Sequence, residues 1–196
     1  MSADRQAMET TRVTHATAPK PTGNSLRLAL GSALWLGLSP VAPGSCGALL
    51  GVLIHVSSVL LLPPGWAMAA LITAFVAVSA LHFFLTPWAQ AYWHSEDPKN
   101  FVLDEVAGYL LVPILFHHGR LWQVALWGFL SFRILDIIKV PPARQIDRDM
   151  RGALGVILDD LVGAAYAVLF LYVLMWLGVR VGMDRWLISA SSRWTV

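Results

Sequence analysis

Between Trp66 and Leu85 the chain runs for 20 residues without a charged side chain. A helix needs about 20 apolar residues to cross the hydrocarbon core of a bilayer, so this segment alone directs the chain toward a membrane. Leu161–Val179 repeats the pattern over 19 residues, and Cys46–Leu62 approaches it with 17. Composition agrees: 57% of residues are apolar and 13% charged, where soluble domains hold roughly 45–50% and about 25%. The expected fold is all-α, a polytopic bundle of about four to five transmembrane or deeply inserted helices. A net charge of +2 is too small to point to a nucleic-acid partner. The single cysteine, Cys46, has no internal disulfide partner, and the six histidines show no zinc-like spacing.

Residues 1–25 are polar and aperiodic, with Arg5, Arg12 and Lys20 but no apolar run. They fit a disordered tail better than a signal peptide, which needs a hydrophobic stretch of roughly 7–15 residues. Residues 26–196 are expected to form one membrane-embedded domain. Leu26–Leu38, a 13-residue apolar run, is too short to span and predicts an interfacial or re-entrant helix. The stretch from Ser39 through Pro40 and Pro43 to Gly44 halts any helix, and Thr86-Pro87 is expected to end the helix of the longest run. Two middle runs, Val106–Phe116 and Leu121–Phe132, have only 11 and 12 residues. Each crosses only by carrying charged neighbours, Asp104 and Glu105 in the first, Arg133 and Asp136 in the second. Such charges cost about 2.5–3.5 kcal/mol each at mid-bilayer, so they belong near the surface or around a wet cavity within the bundle.

With five crossings and a tight turn at His117–Arg120, the tail, the 86–100 loop and the 139–153 loop share one side. That side holds nine Lys and Arg residues against four on the other, which favours a cytoplasmic N-terminus. The same layout delivers the Pro43-Gly44 break, Asp104-Glu105, Asp136, Lys139, Asp147-Arg148 and Asp159-Asp160 to one membrane face. Nine of the twelve acidic residues lie between 96 and 160. Charge gathered in this way marks a candidate site.

Asp104, Glu105, Asp136, Asp159 and Asp160 offer hard oxygen ligands without a Cys or His cluster beside them, a set suited to Mg²⁺ or Mn²⁺. Together they would repel one another unless a cation or shared protons neutralised them. Neighbouring residues project about 100° apart on a helix. Each adjacent pair is therefore expected to send one carboxylate to a metal and keep the other as a support or base. Arg133, Asp136 and Lys139 stand at i, i+3 and i+6 on one helical face. They form either a salt-bridged stripe or an anion clamp, and in so apolar a helix the clamp is the functional expectation. Arg148 extends it into the following loop. Gly152 and Gly155 lead into a helix whose free N–H groups offer a contact to phosphate, although helix packing explains them equally well. Cys46 lacks the Arg of a phosphatase Cys-x5-Arg loop, and no buried strand precedes Asp147-Arg148-Asp149. No covalent nucleophile is evident in either motif. The competing class is a membrane ion or proton transporter using buried carboxylates, but the halves show no repeat and a relay does not need the Arg/Lys clamp.

Taken in order, these residues form a recognisable series. Ser39-Pro40-x-x-Pro43-Gly44, Leu103-Asp104-Glu105-x-x-Gly108 and Phe132-Arg133-x-x-Asp136-x-x-Lys139 precede Pro142, Asp147-Arg148, Gly152, Gly155 and Asp159-Asp160. From about residue 31 to 165 the chain resembles the bacterial phosphatidylglycerophosphatase A family. It departs at Val140, Ala153 and Gly163-Ala164, where backbone rather than charge differs. The resemblance implies a Mg²⁺-dependent, multi-pass inner-membrane enzyme with its active site facing the cytoplasm. Such an enzyme removes the terminal phosphate of phosphatidylglycerophosphate, leaving phosphatidylglycerol and inorganic phosphate. Asp104, Glu105, Asp136, Asp159 and Asp160 are the expected catalytic and metal-binding residues. Arg133, Lys139, Arg148 and Ser39 are the expected phosphate-binding residues.

Overall fold

A computed structural model describes residues 24–190 and Trp194. The expected tail falls outside the described residues up to Gly23, while Asn24 and Ser25 already open the first helix. Helices α1 (Asn24–Gly31), α2 (Pro43–Leu61), α3 (Pro64–Trp93), α4 (Leu103–Leu115), α5 (Leu121–Ile138), α6 (Ala143–Asp149) and α7 (Gly152–Val181) follow in order. No β-strand occurs among the described residues. The protein is an all-α membrane protein, and α2, α3, α5 and α7 are long and apolar enough to cross a bilayer.

Helix α4 is different. Its 13 residues rise about 20 Å, well short of a hydrocarbon core of roughly 30 Å. It packs against α2, α3, α5 and α7, and its Val106, Ala107, Tyr109, Leu110 and Val112 are fully buried. Four long helices thus wall in a short central one. Lipid tails give such helices no hydrophobic reward for meeting, so tight packing of small residues has to hold them. A Cβ on Gly51 of α2 would lie 2.9 Å from the Tyr109 ring, and one on Gly128 of α5 would lie 3.2 Å from Val112. Deep in this core the Tyr109 hydroxyl finds its partner in His55 Nδ1 at 3.1 Å.

Two boundaries differ from expectation. Pro87 does not end α3, which runs on to Trp93. The proline faces outward, while Leu85 and Ala89 on the opposite side are buried with Phe101 and Leu103 and packed by Leu30, Trp88 and Trp93. That packing carries the helix across the missing N–H, and Thr86 Oγ1 donates to the His82 carbonyl at 2.7 Å. Leu26–Leu38 is not one helix either. After α1, Ala33, Leu34 and Trp35 all take left-handed φ values of 50°, 58° and 65°, and Leu36–Leu38 forms a 3-10 turn. The chain is drawn onto the segment before α4: Val102 N–H donates to the Gly31 carbonyl at 3.1 Å, and Asn100 Nδ2 donates to the Gly37 carbonyl at 2.7 Å.

The middle runs do carry their charged neighbours. Asp104 and Glu105 lie in the first turn of α4, and α5 continues past Phe132 to Ile138, taking Arg133 and Asp136 with it. The N-termini of α2, α4 and α7 and the C-terminus of α5 meet around one cavity, floored on the α3 side by the 97–101 loop.

Candidate active site

The cavity measures about 450 Å³ and is lined by Asp104, Glu105, Arg133, Asp136, Lys139, Asp159 and Asp160. Each side chain arrives for a local reason. Helix α4 begins at Leu103, and Val102 before it offers no side-chain cap, so the free N–H groups and positive dipole end favour the acidic pair that follows Leu103. Gly44, in the first turn of α2, leaves the space the pair needs. A Cβ there would collide with the Glu105 carboxylate and lie 2.8 Å from Arg133 Nη2. Gly108, one turn below the pair, does the same for α7: its Cβ would lie 3.3 Å from Asp160 Cβ.

Asp104, Glu105 and Asp160 each present an oxygen within 4.8 Å of the others. Asp104 and Asp160 are 6% and 4% exposed, and Asp104 Oδ1, Glu105 Oε2 and Asp160 Oδ2 are buried without a hydrogen-bond donor. A buried carboxylate lacking donors is costly unless a cation or proton compensates it. Three converging hard oxygens fit Mg²⁺ or a similar divalent ion in ligand type and spacing.

The remaining residues form a ring of pairs around this trio. Arg133 Nη1 donates to Asp136 Oδ2 at 2.8 Å, and the Asp136 carboxyl reaches that of Asp160. Lys139 Nζ donates to both Asp147 Oδ1 and Asp159 Oδ2 at 2.6 Å. Burial works to lower the Lys139 pKa, but the hydrogen bonds and charges of Asp147 and Asp159 outweigh it and raise it above its ordinary 10.5.

Several details depart from expectation. Both members of the Asp104-Glu105 pair reach the trio, although neighbours on a helix diverge by about 100°. For Asp159-Asp160 the divergence holds, and only Asp160 joins. Lys139 does not extend the Arg133-Asp136 stripe, since it caps α5 with φ 50° and reaches across to α7. Arg148 lies outside the cavity: it is exposed and donates to its neighbour Asp149 at 2.7 Å. It lines a smaller space of about 140 Å³ beside Gly152 and Gly155. Gly155 packs on the Met150 carbonyl, which supports the packing explanation of that glycine. Ser39 also lies outside, its hydroxyl spent on its own turn, donating to the Val41 carbonyl at 2.9 Å.

Ser45, Asp97 and Lys99 line the cavity without having been singled out from the sequence. Position on the loop shared with the acidic segments was the only signal for Asp97 and Lys99. Asp147 entered as part of a motif, and its role as the second partner of Lys139 was not visible.

The sequence profile described as Phosphatidylglycerophosphatase A matches residues 29–175. A Bacteroides thetaiotaomicron protein named "Putative phosphatidylinositol-3-phosphatase" is 32% identical over 157 residues, covering 77% of this chain and 94% of that protein. Proteins named Phosphatidylglycerophosphatase A from Haemophilus influenzae and Escherichia coli are 30% and 28% identical, covering 71% and 69% of this chain and 83% and 76% of their own lengths. No solved structure matches. The matched stretch takes in every carboxylate of the cavity, all of α2, α3 and α5 and most of α7, and the chain belongs to the phosphatidylglycerophosphatase A family of lipid phosphatases.

Proposed function

We propose that this protein hydrolyses phosphatidylglycerophosphate to phosphatidylglycerol and inorganic phosphate, with Mg²⁺ held by Asp104, Glu105 and Asp160. The observation that carries the reading is the trio of buried, donor-less carboxylate oxygens at one end of a membrane-spanning bundle. A soluble substrate would not need such a setting. A lipid keeps its acyl chains in the bilayer while its headgroup enters the cavity.

The bound cation would supply positive charge against the phosphoryl oxygens. Arg133 and Lys139 add positive charge on the facing side. Asp136, next to the trio and oriented by Arg133, accepts a proton from the attacking water as the new P–O bond forms. As the bond to the glycerol oxygen breaks on the far side of phosphorus, the departing alkoxide takes a proton from solvent at the cavity mouth, and Asp136 releases its own to water afterwards. No covalent intermediate on the protein is required. The nine-to-four excess of basic residues supports a cytoplasmic site, and the bacterial relatives support an inner-membrane location. A transporter is not favoured, because the curated relatives carry phosphatase names.

The test is phosphate release by the purified full-length chain in detergent, with phosphatidylglycerophosphate and either Mg²⁺ or EDTA. Chelator-sensitive release is expected. No release with Mg²⁺ would refute the activity, and release indifferent to EDTA would refute the metal. A parallel arm with phosphatidylinositol 3-phosphate tests the headgroup; faster turnover of that lipid would overturn the substrate assignment.

A further inference from the structure

A second hollow of about 450 Å³ lies between α2 and α5, away from the carboxylates. Leu49, Val52 and Val56 line it from α2, and Leu121, Ala125 and Phe129 from α5. The spacings 49/52/56 and 121/125/129 put each set on one helical face, so two facing stripes make a continuous trough. Its lining offers essentially no polar surface.

The trough has a defined relation to the site. The same two helices meet above it, where Gly44 of α2 abuts Arg133 of α5 at the cavity wall. Leu49 lies about 8 Å below Gly44 along α2, and Phe129 about 6 Å below Arg133 along α5. From Arg133 to Leu121 the descent is about 18 Å, close to the roughly 15 Å of one hydrocarbon leaflet. A headgroup at Arg133 therefore leaves its chain at the top of an apolar trough of leaflet depth.

Resting on the proposed lipid phosphatase activity, we infer that this trough holds an acyl chain of the substrate during turnover and makes the enzyme select for chain length. Binding energy gathered along the chain then positions the distant phosphate.

The experiment compares a long-chain phosphatidylglycerophosphate with its dihexanoyl form, in detergent with Mg²⁺. Ala125→Phe and Val52→Phe fill the trough from opposite walls. Each is expected to lower kcat/KM for the long-chain lipid about tenfold, mainly through KM, and to leave the dihexanoyl lipid unchanged. Val76→Phe, on an exposed face of α3, adds the same bulk elsewhere and should change neither. Retained dihexanoyl turnover also shows that a variant is folded. Wild-type protein inactive on both lipids would sink the proposed activity instead. An unchanged chain-length ratio in the filled variants would sink the trough.

A measurement on the unfilled protein stands beside these. Trp122 borders the trough, so acyl-brominated phosphatidylglycerophosphate in EDTA should quench the fluorescence that Trp122→Phe removes. Equal quenching by brominated phosphatidylcholine would assign the trough to bulk lipid and overturn the proposal.

Discussion

Asp159 and Asp160 are adjacent and almost equally buried, at 5% and 4% exposure, yet their surroundings are opposite. Asp159 accepts from Lys139 at 2.6 Å, and Lys139 is shared with Asp147. Asp160 turns toward Asp104 and Glu105 and leaves Oδ2 without a donor. A step of about 100° around the helix separates a carboxylate compensated by the protein from one left for something else to compensate. The first belongs to the frame of the cavity. The second has the environment of a ligand.

Breaking the trio should have the largest effect. Asp160→Asn and Glu105→Gln are each expected to reduce phosphate release more than about a thousandfold while the protein still inserts. In EDTA both variants should melt higher than the parent, since one charge leaves a self-repelling group. Near-parental turnover by both would remove the trio from catalysis. Mg²⁺ should raise the melting temperature of the parent, and that rise should vanish in Asp160→Asn. Persistence of the full shift in the variant would place the ion elsewhere.

Gly44→Ala sharpens the comparison by crowding rather than deletion. Its methyl group meets the Glu105 carboxylate and Arg133, so a loss of about tenfold to a hundredfold in kcat is expected, with little change in melting. On the compensated side, Lys139→Met leaves Asp159 buried without its cation. The expected cost is about 1–3 kcal/mol of stability, discounted because Lys139 remains partly exposed. The raised Lys139 pKa means its ion pairs are intact below the ordinary 10.5 and are lost as pH rises through the raised value. On the alkaline side the deficit measured by melting should thus persist to about pH 10 and shrink only in stronger alkali. A deficit that already shrinks between about pH 8 and 10 would contradict the pairing. The smallest effect belongs to Ser39→Ala, whose hydroxyl serves its own turn; phosphate release should stay within about twofold. A large loss would return Ser39 to the phosphate site.

Much of this was legible before any coordinates. Hydropathy located the spanning segments, and the charges beside the short runs of α4 and α5 marked those helices as unusual. The turn at His117–Arg120 and the clustering of acids between 96 and 160 gave the end of the bundle where chemistry gathers. Local signals failed at Pro87, where packing of Leu85 and Ala89 outweighs a missing hydrogen bond, and at Leu34-Trp35, a left-handed stretch flanked by Gly31 and Gly37, whose carbonyls bind Val102 and Asn100. They also failed for Arg148, which is exposed and paired with Asp149, while its neighbour Asp147 turns to Lys139.

What the chain alone determined is set by quantities additive along it: apolar length against bilayer thickness, and the side on which charge accumulates. Which oxygens converge was decided only by assembly. It depends on the small residues Gly44 and Gly108 opening space between helices distant in sequence, and on Lys139 leaving α5 in a left-handed cap to claim Asp159. Those are relations of rotation and approach between packed helices, and no periodicity within a single segment encodes them.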